Sequence, residues 1–186
     1  SPNKYILNTV ETSDHGFISL GIEIVSNSLS NLILIKSDSN ASILWQKTIS
    51  LGKRCSARKI YETIDKGYLI AGNRSSNIDV DSDPIVIKTD SIGNVNWYRI
   101  FGNSLQKDGG IASAITNQGD YLIAYGYGTP YSNPSSGNFL ARLNVLKLNP
   151  DGYTICDKMF DTVRLNYTVN KIQILPNNDF MVMGSA

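Results

Sequence analysis

Histidine is all but missing from this chain. His15 is the only one in 186 residues. A Ser–His–Asp or Cys–His mechanism therefore has no choice of base, and no G-x-S-x-G elbow supplies a nucleophile. Cysteine is nearly as scarce. Cys55 and Cys156 are too few for a disulfide framework, and neither belongs to a CxxC or Cys/His zinc spacing. Their separation leaves two outcomes open, two independent thiols or one bridge. An excess of one charge is also lacking. Seventeen Lys and Arg against sixteen Asp and Glu leave a net charge of +1. No strong field selects nucleic acid or an anionic membrane. No apolar run approaches the ~18 residues of a helical membrane span. The glycine-rich spots read as turns, and none precedes a helix as a phosphate loop would.

What the chain does contain is a repeat. Gly16-Phe17-Ile18-Ser19-Leu20-Gly21 returns as Gly67-Tyr68-Leu69-Ile70-Ala71-Gly72, as Asp120-Tyr121-Leu122-Ile123-Ala124-Tyr125-Gly126 and as Asp179-Phe180-Met181-Val182-Met183-Gly184. The aromatic anchors Phe17, Tyr68, Tyr121 and Phe180 are 51, 53 and 59 residues apart. A period of this size marks a propeller or a solenoid. The repeats run over about 1–53, 54–106 and 107–165, with a half repeat over 166–186.

The second copy shows the unit best. Lys59–Thr63 is β-rich, Ile64–Gly67 is a turn, and Tyr68–Gly72 is an apolar run closed by glycine. Asn73–Asp83 reads as polar loop. Ile85–Thr89 is β-branched, Asp90–Asn94 is a second tight turn, and Val95–Phe101 is a last strand. The other copies agree around a lysine. Lys36, Lys88 and Lys147 are each followed five residues later by Ala41, Gly93 or Gly152, and nine later by Trp45, Trp97 or Cys156. The fifth position calls for positive φ. The ninth is expected to pack an aromatic on the neighbouring unit, with Cys156 a small core residue in its place. The expected fold is all-β: a β-propeller of four-stranded up-and-down blades, three and a half repeats of which are visible.

The segments Asp65–Gly72 and Val86–Gly102 resemble a family of bacterial and archaeal extracellular β-propeller repeats. Their units look like DGGYIIAG followed by VIKTDxxGNxxWxKxFG. The resemblance implies a secreted or cell-envelope protein in which the propeller is a scaffold or adhesion module. It implies no catalytic residue. About fourteen strands fall short of the sixteen or so that four blades require, since an open array leaves unpaired edges. The expectation is a larger propeller, closed by the remainder of a longer chain or by a partner, with a small propeller of one incomplete blade as the remaining reading.

Three features compete for function. The segment Tyr125–Asn138 is an insertion. From aromatic anchor to lysine takes 19 and 20 residues in the first two copies and 26 in the third. Its tyrosines Tyr125, Tyr127 and Tyr131, with the amides Asn133 and Asn138, suit protein or glycan contact. The same residues also suit a plain loop packed on a blade edge. Asp79, Asp81 and Asp83 alternate as oxygen ligands for Ca²⁺ would, without the glycine or distal acid of an EF-hand loop. They read equally as a solvated loop. His15 aligns with Lys66, Gly119 and Asn178 and reads as an exposed turn residue. Together these point to a non-enzymatic scaffold or interaction module that binds a protein or glycan through inter-strand loops. A carbohydrate-active hydrolytic propeller and a calcium-dependent adhesion domain remain as alternatives.

Overall fold

The structure is a computed structural model, and it describes residues 3–77, 81–102, 108–128, 141–165 and 168–185. Among the described residues there are fourteen strands. β1 (Asn3–Glu11), β2 (Phe17–Ser26), β3 (Leu29–Ser37) and β4 (Ile43–Ile49) form one sheet in that order. β5 (Arg54–Glu62), β6 (Tyr68–Asn77), β7 (Asp81–Thr89) and β8 (Val95–Ile100) form a second. β9 (Gly109–Ile115), β10 (Tyr121–Tyr127), β11 (Ala141–Leu148) and β12 (Thr154–Leu165) form a third. β13 (Thr168–Ile174) pairs with β14 (Phe180–Ser185). Each sheet is an antiparallel meander of neighbours in sequence, and the sheets coincide with the repeats.

Two stretches expected as loop belong to strands. Asn73 and Arg74 extend β6 by pairing with Ser56 and Cys55. Tyr125 and Tyr127 lie in β10, opposite Asn144 and Arg142 of β11. A ladder is made by backbone groups, so polar side chains do not end it.

The backbone divides into two compact units, Ser1–Ile78 with Ile85–Arg99 and Asp79–Pro84 with Ile100–Ala186. In the first, Ile18, Leu20, Leu32 and Leu34 of one sheet meet Ile60, Tyr68, Ile70 and Ile87 of the next in a single buried cluster. Leu69, Ala71 and Val86, on the alternate face of the same strands, are buried too. Burial on both faces is why these strands read as unbroken apolar runs. In the second unit, Ala112, Leu122, Ala124 and Val145 pack with Val169 and Ile172 of β13.

One turn recurs. Before β2 the Thr12 amide donates to Gly16 O and the His15 amide to Thr12 O. The same pair of bonds closes Thr63–Gly67, Thr116–Asp120 and Leu175–Asp179. It also closes Asp38–Ser42, Asp90–Asn94 and Asn149–Tyr153 between the third and fourth strands of the sheets. The fourth residue of each turn is left-handed, as in His15 (φ 62), Ala41 (φ 65), Lys66 (φ 63), Asn178 (φ 65) and Gly93 (φ 81). The position five residues after each lysine therefore has the positive φ that the sequence calls for.

Candidate functional site

The lysine of each third strand reaches back over the first turn of its sheet. Lys36 Nζ lies 2.9 Å from Asp14 Oδ2, and Lys88 Nζ lies 2.8 Å from Asp65 Oδ2. Both lysine side chains are buried, and each Nζ also donates to the next backbone carbonyl, Ser37 O or Thr89 O. The crossing needs glycine beneath it. A Cβ at Gly16 or Gly67 would stand 2.5 Å from the lysine Nζ. In the third sheet the carboxylate sits at the last turn position instead, where Asp120 meets Lys147 at 2.8 Å.

Between the turns of the first two sheets lies a cleft of about 470 Å³, wholly inside the first unit. Its floor is aromatic. Half-buried Trp45 of β4 meets buried Tyr68 of β6 with ring centroids 6.1 Å apart and planes tilted by 56°. Gly93 lets the indole in, for a Cβ there would be 3.0 Å from its Cη2 and Cζ3 atoms. The rim is polar. The Ser13 amide and hydroxyl donate to Glu62 Oε2 and Oε1 at 2.8 and 3.0 Å, and Lys66 Nζ donates to Ser13 Oγ at 2.8 Å. Leu44 and Ser91 complete the wall.

The electrostatics follow from these bonds. The Thr12 hydroxyl, Lys36 and the Gly16 amide hold the Asp14 carboxyl well below the usual carboxylate range. Burial would raise Asp65, but bonds from Lys88 and Thr63 outweigh it and lower its pKa. Burial, helped by the Glu62 and Asp14 charges, pushes the Tyr68 phenol up to about 12. The cleft thus presents a protonated phenol, hydroxyls, and two carboxylates balanced by two ammonium groups.

Of the candidate binding and metal residues read from the sequence, the described ones do not line this cleft. Tyr125 is buried, and its hydroxyl accepts from Asn144 Nδ2 at 2.9 Å. Burial pushes its phenol up to about 12. It packs inside the sheet and offers no contact surface. Tyr127 is half-buried at the end of β10. Tyr131, Asn133, Asn138 and Asp79 lie outside the described residues. Asp81 opens β7, and Asp83 is buried within it. Buried Asp108 accepts from the Gly128 amide at 2.8 Å. Among the described residues no three His, Cys, Asp or Glu side chains gather as a metal site would need. Both cysteines are free. Cys55 is buried, with its thiol pushed up to about 11 by desolvation. Cys156 is exposed, so it is not the core residue expected at that position. Trp45 does pack on the neighbouring sheet as its spacing foretold. Ser13, Glu62 and Lys66 had no signal of their own.

No protein-family model and no curated protein sequence matches the chain. Among solved structures it is similar to the lignostilbene dioxygenase of Pseudomonas brassicacearum, with a TM-score of 0.52 and 9% identity. The match covers 86% of this chain and 38% of that one, so the chain spans little more than a third of that enzyme's length. At such identity the likeness speaks for the arrangement of sheets alone.

Proposed function

We propose that the protein is a non-enzymatic β-propeller interaction module, its sheets being successive up-and-down blades, and that it binds a neutral glycan in the cleft of its first unit. The carrying observation is the make-up of that cleft. An indole and a phenol form the floor, and the rim alternates donors and acceptors whose formal charges cancel. The apolar C–H face of a pyranose suits such a floor, and its hydroxyls suit such a rim. The volume falls within the ~300–1,000 Å³ range of small-ligand sites. The rim groups already bond to one another, so they are preorganised and little ordering remains for binding. The same bonds weigh against hydrolysis. Asp14 is held ionised, which disfavours it as a proton donor, and both Glu62 oxygens accept from Ser13. The resemblance of the repeats to extracellular ones supports a secreted or cell-envelope location.

The test is a fluorescence titration in a Trp97→Phe background, which leaves Trp45 as the only indole. Neutral trisaccharides of glucose, mannose, galactose and N-acetylglucosamine are added to ~10 mM, well past the ~1 mM dissociation constant that corresponds to about −4 kcal/mol. At least one should give a saturable change that Glu62→Gln weakens. A flat response to all four would overturn the glycan reading.

A further inference from the structure

Three Asn-x-Ser/Thr triplets occur in the chain: Asn40-Ala41-Ser42, Asn73-Arg74-Ser75 and Asn166-Tyr167-Thr168. Such a triplet accepts an N-linked glycan where it lies on the surface of a secreted protein. The fold tells the copies apart. Asn166 and Tyr167 lie outside the described residues. Asn73 is half-buried in β6, opposite Ser56 of β5, and β6 is an inner strand between β5 and β7. A bulky group there would have to displace neighbours within the sheet.

Asn40 is placed differently. It stands third in the turn Asp38–Ser42 between β3 and β4, and Asn40, Ala41 and Ser42 are all exposed. Asp38 fastens the backbone of the triplet. Its Oδ1 accepts from the Asn40 amide at 2.9 Å and from the Ser42 amide at 2.8 Å. Those bonds use main-chain groups and leave the Asn40 carboxamide and the Ser42 hydroxyl available to a visitor. The exposure belongs to the turn position itself. In the second sheet Asp90 Oδ1 accepts from the Ile92 and Asn94 amides in the same pattern. Ile92, at the place of Asn40, is 54% exposed even though Trp45 of the first sheet packs on Gly93 beside it. Asp151, third in the turn of the third sheet, is exposed as well.

We infer that Asn40 is the attachment site of an N-linked glycan. The inference rests on the secreted or cell-envelope location proposed above and is independent of what the cleft binds. The donor is a lipid-linked glycosyl diphosphate brought by a transferase. Asn40 Nδ2 attacks C1 of the first sugar, and the new C–N bond replaces the C1–O bond. The diphosphate leaves with the bonding pair, and one amide proton passes to a base of the transferase. The chain's own part is to hold the acceptor triplet outward on a fixed turn.

For the test, the protein is recovered from the cells that make it, with medium, envelope and cytoplasm kept apart, and digested with trypsin. Cleavage after Lys36 and Lys47 isolates residues 37–47, in which Asn40 is the only asparagine. Cleavage after Lys66 and Arg74 isolates residues 67–74, in which Asn73 is the only one. In protein from the medium or envelope, mass spectrometry should find the first peptide carrying an added mass of whole sugar residues, placed on Asn40 by fragmentation. The second should be bare. Ser42→Ala should abolish the addition and Ser42→Thr should keep it, with the circular dichroism of both unchanged because Ser42 is exposed. A bare 37–47 peptide in protein from outside the cytoplasm overturns the site and leaves the location standing. Protein confined to the cytoplasm and bare overturns both. Sugar on the Ser39 or Ser42 oxygen in place of Asn40, or an addition that survives Ser42→Ala, would also overturn the inference.

Discussion

The first unit and the second build the same junction between turns and furnish it differently. In the first, Lys66 Nζ bonds to Ser13 Oγ across neighbouring turns at 2.8 Å. In the second, Asn117 Nδ2 bonds to Asn178 Oδ1 at 2.9 Å between residues at the same turn positions. Around that bridge the chemistry diverges. Trp45 is replaced by Cys156, Tyr68 by Phe180 and Glu62 by Ile174. The bridge therefore belongs to the frame, and the indole, phenol and carboxylate are additions to one copy of it. A repeat separates what holds the sheets from what a single junction does.

The lysine crossings sharpen the comparison. Sheets one and two place the acid third in the turn and glycine fifth, whereas sheet three places the acid fifth. The largest stability effect should come from writing the second solution into the first. Gly67→Asp sets a side chain against Thr89 O and Lys88 Nζ, and should cost roughly 2–4 kcal/mol in urea unfolding. Asp120→Gly loses only a part-exposed ion pair, below about 1 kcal/mol. Equal losses would show that the two turns are interchangeable.

A smaller contrast is expected between the lysines themselves. Lys88 is buried and serves both Asp65 and Thr89 O. Lys88→Met should cost about 2 kcal/mol through its lost charge-assisted bonds, and Lys147→Met less than about 1 kcal/mol. The smallest effect is a gain. Ala41 holds φ 65 where Gly93 and Gly152 both hold φ 81. Ala41→Gly relieves a left-handed L-residue and should raise stability by about 1 kcal/mol, seen as a higher melting temperature.

Acid should separate the latches from the rest of the fold. Asp14 and Asp65 have lowered pKa values in the folded chain. Their contribution is then complete above the unfolded carboxylate value, ~4, and is lost as pH falls from there toward their folded values. The Asp14→Asn, Asp65→Asn double variant should show a flatter fall in stability below about pH 4 than the parent. Unchanged slopes would mean that these bonds persist in the unfolded chain.

The frame was legible in the sequence because it rests on local geometry. The residue five after Lys36, Lys88 and Lys147 is left-handed in every case, and the aromatic nine after Lys36 packs on the next sheet. Strand ends were less legible. Asn73, Arg74, Tyr125 and Tyr127 look like loop residues, but backbone pairing carries them into β6 and β10. The cleft was the least legible. Ser13 meets Glu62 and Lys66 across 49 and 53 residues of chain, and each is an ordinary polar residue until two turns are set side by side.

The most direct measurement is calorimetric titration of the parent chain and of the Trp45→Cys variant with the best trisaccharide from the fluorescence series, each shown to be folded by circular dichroism. Trp45→Cys writes the second unit's residue into the first unit's junction. Loss of a central aromatic anchor should weaken binding by about 2 kcal/mol, roughly thirtyfold. Equal affinities in the two proteins would contradict the assignment of binding to this cleft.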